Sequence, residues 1–206
     1  MTINGTDFNM AESIITELYN GRVQVKFYPV SHQYWVSVDG SPFKRKRGAS
    51  TISGILDKSR ALQSWQQLIT SEFLLDKIDQ EANIGHEEIL EAVAQCDVQK
   101  DKAAGMGTAI HDFISSYILA KMGCGPMPAE PEIKEVKNGF LAFLDWEKSL
   151  DSIEYHASEM IVYSIKNDYI GTLDLDATIN GKRSLIDFKS SNGLYNSVLM
   201  QTEGYA

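Results

Sequence analysis

Residues 171–189, GTLDLDATINGKRSLIDFK, carry the pattern that decides the fold. Asn180-Gly181 is the preferred centre of a two-residue type I′ turn, whose twist matches that of paired antiparallel strands. The stretch therefore reads as a hairpin with Ile179 facing Lys182, and that register brings Asp174 opposite Asp187 and Thr172 opposite Lys189. Side chains alternate along a strand, so Asp174, Asp176, Asp187 and Lys189 fall on one face. Leu173, Leu175, Ala177, Ile179, Ile186 and Phe188 fall on the other, which must pack on a core. Two carboxylates directly across a sheet repel each other. A hard divalent cation such as Mg²⁺, which takes oxygen ligands from one or two carboxylates, offsets that repulsion. Lys189 then stands beside the cation as a positive group able to orient water or stabilise charge that develops on a phosphoryl group.

Outward from the hairpin, residues 153–164, 169–179 and 184–188 read as strands, and 196–206 returns to helix. The clearest helix runs from about 103 to 122, where Met106, Ile110, Phe113, Ile114, Tyr117 and Ile118 recur at spacings of three and four, and Gly123 ends it. Beyond Pro126, Pro128 and Pro131, a further helix carries Ile133, Val136, Phe140, Phe143 and Leu144. Residues 61–94 are helical with a break at 83–85. Nearer the start, Asn9 and Glu12 cap a helix over 10–19 that Gly21 stops. Residues 23–28 and 33–38 alternate as strands, punctuated by Pro29 and Asp39-Gly40, and Ser50 or Thr51 caps a helix with Ile52, Ile55 and Leu56 on one side. The expectation is an α/β protein with a mixed central sheet flanked by helices. Residues 1–60 form a β-hairpin and basic region, and 61–206 the helical segment and hairpin core, the two making one unit.

The chain of 206 residues is long enough for one sizeable core. No apolar run approaches the roughly 18 residues of a membrane span, and the start lacks the layout of a secretion signal, so no membrane partner and a cytoplasmic setting are expected. Two cysteines, Cys96 and Cys124, supply neither a disulfide framework nor the four thiolates of an iron–sulfur cluster. A net charge of -9 argues against a polyanionic partner, but its distribution argues otherwise. Residues 21–60 hold eight bases and two acids, and 61–100 hold eight acids and two bases. The basic tetrad Lys44, Arg45, Lys46 and Arg47, with Arg60, supplies candidate phosphate contacts. Tyr34, Trp35 and Trp65 offer rings for base stacking or for burial.

Gly171-Thr-Leu-Asp174, Asp187-Phe-Lys189 and Gln201-Thr-Glu-Gly-Tyr205 together resemble the active-site series of PD-(D/E)XK nucleases of the RecB-like exonuclease branch. Ala104-Gly-Met-Gly-Thr-Ala-Ile-His111 is similar to that branch's Gly-Thr-x-x-His helix. His32-Gln-Tyr34, Ser50-Thr-Ile-Ser-Gly-Ile-Leu56 and Trp65 resemble the N-terminal part of phage and mitochondrial genome maintenance exonucleases. The resemblance implies a restriction-endonuclease-like core with a basic N-terminal extension. It also implies Mg²⁺ or Mn²⁺ on Asp174 and Asp187, Lys189 as catalytic lysine, and Gln201 and Tyr205 on an adjoining helix. His111, whose place beside Ile110, Ile114 and Ile118 reads by itself as a packed core histidine, becomes an additional ligand through its Gly107-Thr-x-x-His context. Glu159, in the strand before the hairpin, is an auxiliary metal-site acid or an edge charge. The implied activity is hydrolysis of DNA ends or single strands to 5′-phosphate products. Ser115 stands where members often carry a glutamate, which keeps open a second expectation, a nuclease-fold module that binds nucleic acid or protein without turnover.

Overall fold

The computed structural model describes residues 13–53, 59–80, 83–190, 193 and 196–205. An antiparallel meander opens the chain: β1 (Ile14–Leu18), β2 (Val23–Tyr28), β3 (Gln33–Val38) and β4 (Lys44–Gly48). A short helix α1 (Ala49–Ser53) follows, then α2 (Ser59–Asp79) and α3 (His86–Lys121), which pack on each other, and α4 (Lys134–Lys148) against α3. The α3–α4 contact is close because residue 139 is glycine: a Cβ there would press on the Ile110 side chain. A second meander, β5 (Ile153–Ser164), β6 (Tyr169–Ile179) and β7 (Lys182–Ile186), leads into α5 (Asn196–Tyr205). The described strands form one sheet of order β1-β2-β3-β4-β6-β5, with β7 also on β6; among them only β4 and β6 run parallel. The architecture is mixed α/β, a mostly antiparallel mixed sheet flanked by helices.

A strand has two edges, and β6 serves three partners. β5 pairs along one edge from Tyr169 to Ile179. The other edge is divided between β4, at Tyr169 and Ile170, and β7, at Leu175 to Ile179, so residues 171–174 have no strand partner there among the described residues. Both faces of β6 are buried. Val23, Val25, Tyr34, Val36, Tyr163 and Ile170 form one core, over which β1 swings back toward β5 and Tyr19 donates a hydrogen bond to the Tyr163 carbonyl at 2.5 Å. Leu175 and Ala177 join Ile114, Ile118 and Phe143 in a second core beneath α3 and α4. Full burial of a large apolar side chain contributes roughly 1.5–3 kcal/mol, so β6 is anchored from both sides.

Several expectations are corrected. Residues 14–18 are strand β1, not part of a helix, and Asn9, Met10 and Glu12 lie outside the described residues. Ile14, Ile15 and Thr16 are β-branched, and Tyr19, Asn20 and Gly21 all take positive φ, so Asn20-Gly21 turns a hairpin with Leu18 facing Val23. The basic tetrad is itself strand β4. Helix α1 begins at Ala49, so Ser50 and Thr51 sit within it and do not cap it, and Ile55 and Leu56 are outside the described residues. The helix expected from about 103 reaches back to His86, and its end at Gly123, φ 76°, is as expected.

The β6–β7 register is the expected one from Ile179↔Lys182 to Leu175↔Ile186, but the ladder stops there. Asp187 is therefore not paired across from Asp174, nor Lys189 across from Thr172. The Phe188 amide donates to the Asp174 carboxylate at 2.5 Å, which turns the chain out of the strand. Asp176 is fully buried, gripped by Arg183 through contacts of 3.1 and 2.7 Å that hold its carboxyl below the usual range. Arg183→Ala should lower the melting temperature by stranding that carboxylate, and adding Asp176→Asn should restore part of the loss, since a neutral amide needs no counter-charge. Thermal melts of the single and double variants measure it.

Candidate active site

The divided edge of β6 is where the chemistry-bearing residues meet. A pocket of about 390 Å³ opens over residues 171–174, with Tyr34, His111, Glu159 and Gln201 among its walls. Tyr34 and Thr172 close its floor through a 2.9 Å hydroxyl contact. Residue 171 must be glycine, because a Cβ there would strike the Tyr205 ring. The close approach seats α5 on the strand, where the Tyr169 hydroxyl donates to the Gly204 carbonyl. One face of α5 then presents Gln201, whose amide donates to Asp187 Oδ1 at 3.2 Å and to the Tyr205 hydroxyl at 3.0 Å.

Asp174 Oδ2, which accepts the Phe188 amide, lies 3.4 Å from His111 Nδ1. That hydrogen bond raises the His111 pKa against the opposing effect of burial. Burial raises the Asp187 carboxyl, and Lys189, its Nζ 2.5 Å from Oδ2, works against that rise. Asp187 Oδ2 is wholly buried, with the Lys189 ammonium as its charged neighbour. Glu159 has φ 54°, a left-handed conformation that costs a non-glycine residue of order 1–3 kcal/mol. Its neighbours Ser158 and Met160 pair with Leu175 and Leu173, which places Glu159 level with Asp174. Part of its side chain faces solvent, yet loss of water around the carboxyl, then repulsion from Asp174, pushes its pKa up to about 7.

These donors fit a hard divalent cation in kind: the carboxylate oxygens of Asp174, Asp187 and Glu159 and one imidazole, His111. Among the described residues no three His, Cys, Asp or Glu side chains are already gathered as a cage. Of the nominated residues, His111, Glu159, Asp174, Asp187, Lys189, Gln201 and Tyr205 come together here.

The basic residues do not act as one set. Lys46 is committed to Asp168, at 2.6 Å, and shares its side of β4 with Lys44, while Arg45 and Arg47 point to the opposite side. Arg60 opens α2 with a side chain outside the described atoms. Tyr34 is buried and bonded to Thr172, so it serves the core and not base stacking. Ser115 is buried as well, its hydroxyl 2.9 Å from Ser158 Oγ, which in turn reaches the Asp174 carbonyl. Thr172 and Asp112, not nominated as site residues from the sequence, line the same pocket; Thr172 stands in the Gly171-Thr-Leu-Asp174 stretch, and the signal for Asp112 is its adjacency to His111.

No known family, curated protein or solved structure matches the chain. A carboxyl with a raised folded pKa binds its proton more tightly in the native state. Its contribution to stability is therefore whole below the unfolded value near 4.5 and is lost as pH rises through about 7. In EDTA, the melting temperature should fall over that window, and Glu159→Gln should flatten the fall.

Proposed function

We propose that the chain is a divalent-metal-dependent deoxyribonuclease that hydrolyses DNA ends or single strands. The observation that carries this reading is the convergence of Asp174, Asp187 and Lys189 beside His111 and Gln201 at the divided edge of β6. The β5–β6–β7 meander with α5 on its edge and α3 on its face supports a restriction-endonuclease-like, PD-(D/E)XK core.

Asp174 and Asp187 would hold Mg²⁺ or Mn²⁺, with His111 and Glu159 at hand; an imidazole ligand favours Mn²⁺. When bound, such a cation supplies Lewis-acid polarisation of the phosphoryl oxygens and a lowered pKa for water. Lys189 orients the water and offsets the negative charge gathering on phosphorus. Gln201 holds the Asp187 carboxylate in place and is itself braced by Tyr205. The water oxygen bonds to phosphorus as the P–O3′ bond breaks. Glu159 would take the water's proton, solvent would protonate the departing 3′-oxygen, and a 5′-phosphate would remain.

Asp174→Asn, Asp187→Asn and Lys189→Ala should each reduce cleavage of end-labelled DNA by about 100-fold or more without loss of fold, and EDTA should abolish it. Purified Asp187→Asn that cuts at the parent rate sinks the assignment. A parent that binds DNA but leaves it intact in Mg²⁺ and Mn²⁺ is instead a nuclease-fold binding module, a reading to which the Lys189–Asp187 closure lends weight.

Cation binding is measurable apart from turnover. Ligand at 100 times its Kd stabilises the native state by about 2.7 kcal/mol. Millimolar Mn²⁺ should therefore raise the parent's melting temperature and leave that of the Asp174→Asn/Asp187→Asn double variant unmoved.

A further inference from the structure

Strand alternation sorts the first four strands into two unlike faces. The pairings Ile15↔Lys26, Lys26↔Trp35 and Trp35↔Arg45 set these four residues in one row across the sheet. Arg47 follows Arg45 on the same side, at the level of Gln33 and Tyr28. The row turns away from Val23, Val25 and Val36, which are buried in the core. Arg45 and Arg47 are exposed, Trp35 and Tyr28 are half-buried, and Lys26 stands 4.1 Å over the Phe43 ring. In a chain of net charge -9, this face carries three bases, and the one acid among its described strand residues, Glu17, is hydrogen-bonded to Gln24.

A cleft of about 390 Å³ starts at Arg45 and Arg47 and runs past Gln33. It shares His32, Tyr34, Gly48 and Ser50 with the pocket that holds Asp174 and Tyr205, so face, cleft and pocket are continuous. We infer that the outward face of β2, β3 and β4 is a platform for single-stranded nucleic acid: phosphates lie on Lys26, Arg45 and Arg47, a base stacks on Trp35, and the strand continues through the cleft. Positive charge interleaved with a ring suits an unpaired strand, since a duplex keeps its base faces to itself. Binding needs only the face; its use as a feed to hydrolysis rests on the function proposed above.

The test uses Asp187→Asn protein in EDTA and a fluorescent thirty-residue oligothymidylate, with anisotropy read at several salt concentrations. Lys26→Ala/Arg45→Ala/Arg47→Ala should bind about tenfold or more weakly and flatten the logarithmic salt slope by roughly 2, at about 0.7 for each lost single-strand phosphate contact. A charge-matched control, Lys100→Ala/Lys102→Ala/Lys134→Ala on exposed positions of α3 and α4, should lose less than about twofold. Trp35→Leu, which keeps apolar bulk and removes the ring, should weaken binding about fivefold or more with the slope unchanged. Circular dichroism of each variant verifies folding, and duplex of equal length should bind more weakly than the single strand. Equal losses in the two triple variants, or full affinity in Trp35→Leu, overturns the platform. Protein that binds as described but never cuts refutes the hydrolase reading alone, and a cutting parent whose affinity survives the first triple substitution refutes the platform alone.

Discussion

One edge of β6 has to be divided between β4 and β7, and the rest of the site depends on that division. Had either strand run the full length of the edge, residues 171–174 would be sealed in a regular ladder and α5 could not approach. Because they part, Gly171 admits the Tyr205 ring, Thr172 meets Tyr34, and Asp174 is left at a mouth where the Phe188 amide and His111 both reach it. Backbone groups freed from a ladder need other partners, and here a side-chain carboxylate takes the one that β7 gives up at Phe188.

The site is built against its own electrostatics. Glu159, Asp174 and Asp187 are acids near one another, with Lys189 and His111 as the nearby positive or proton-binding groups, and Glu159 is held besides in a left-handed backbone conformation. Such an arrangement persists only where the surroundings over-determine it. Two cores on opposite faces of β6 provide that: Ile170 in the first, Leu175 and Ala177 in the second. The fork between buried Asp176 and the exposed Arg183 guanidinium, two residues from Asp174, adds a directional constraint at the same strand. Placing Asp174 on the most firmly held strand keeps that carboxylate fixed while the charges around it disagree.

Charge along the chain is polarised, basic early and acidic in the helices, but the structure divides the basic part once more. Lys44 and Lys46 lie on one side of β4, where Lys46 ties the strand to Asp168, next to the Tyr163 hydroxyl. Arg45 and Arg47 lie on the other, in line with Lys26 and Trp35. A run of four bases is thus split between two sides of β4, and of the four Lys46 is the one tied into the fold.

Local rules were sufficient for much of this. Asn180-Gly181 demanded positive φ and so determined the β6–β7 register; alternation marked β2, β3, β5 and β6; Gly123 marked the end of α3; and the acids and lysine of the site were nameable as a set from the hairpin and its following helix. Asn20-Gly21 carries the same turn signal for β1, although Gly21 also reads from the sequence as the stop of a helix. What only the tertiary structure decided is who occupies an edge: that residues 44–48 pair with both β3 and β6, that β7 stops at Ile186, that Asp176 is buried on Arg183, and that Lys46 belongs to Asp168. Turn geometry and side-chain alternation act over a few residues and are written in them, whereas strand partners and ion pairs across more than a hundred positions are settled by competition for the same edge and the same buried surface.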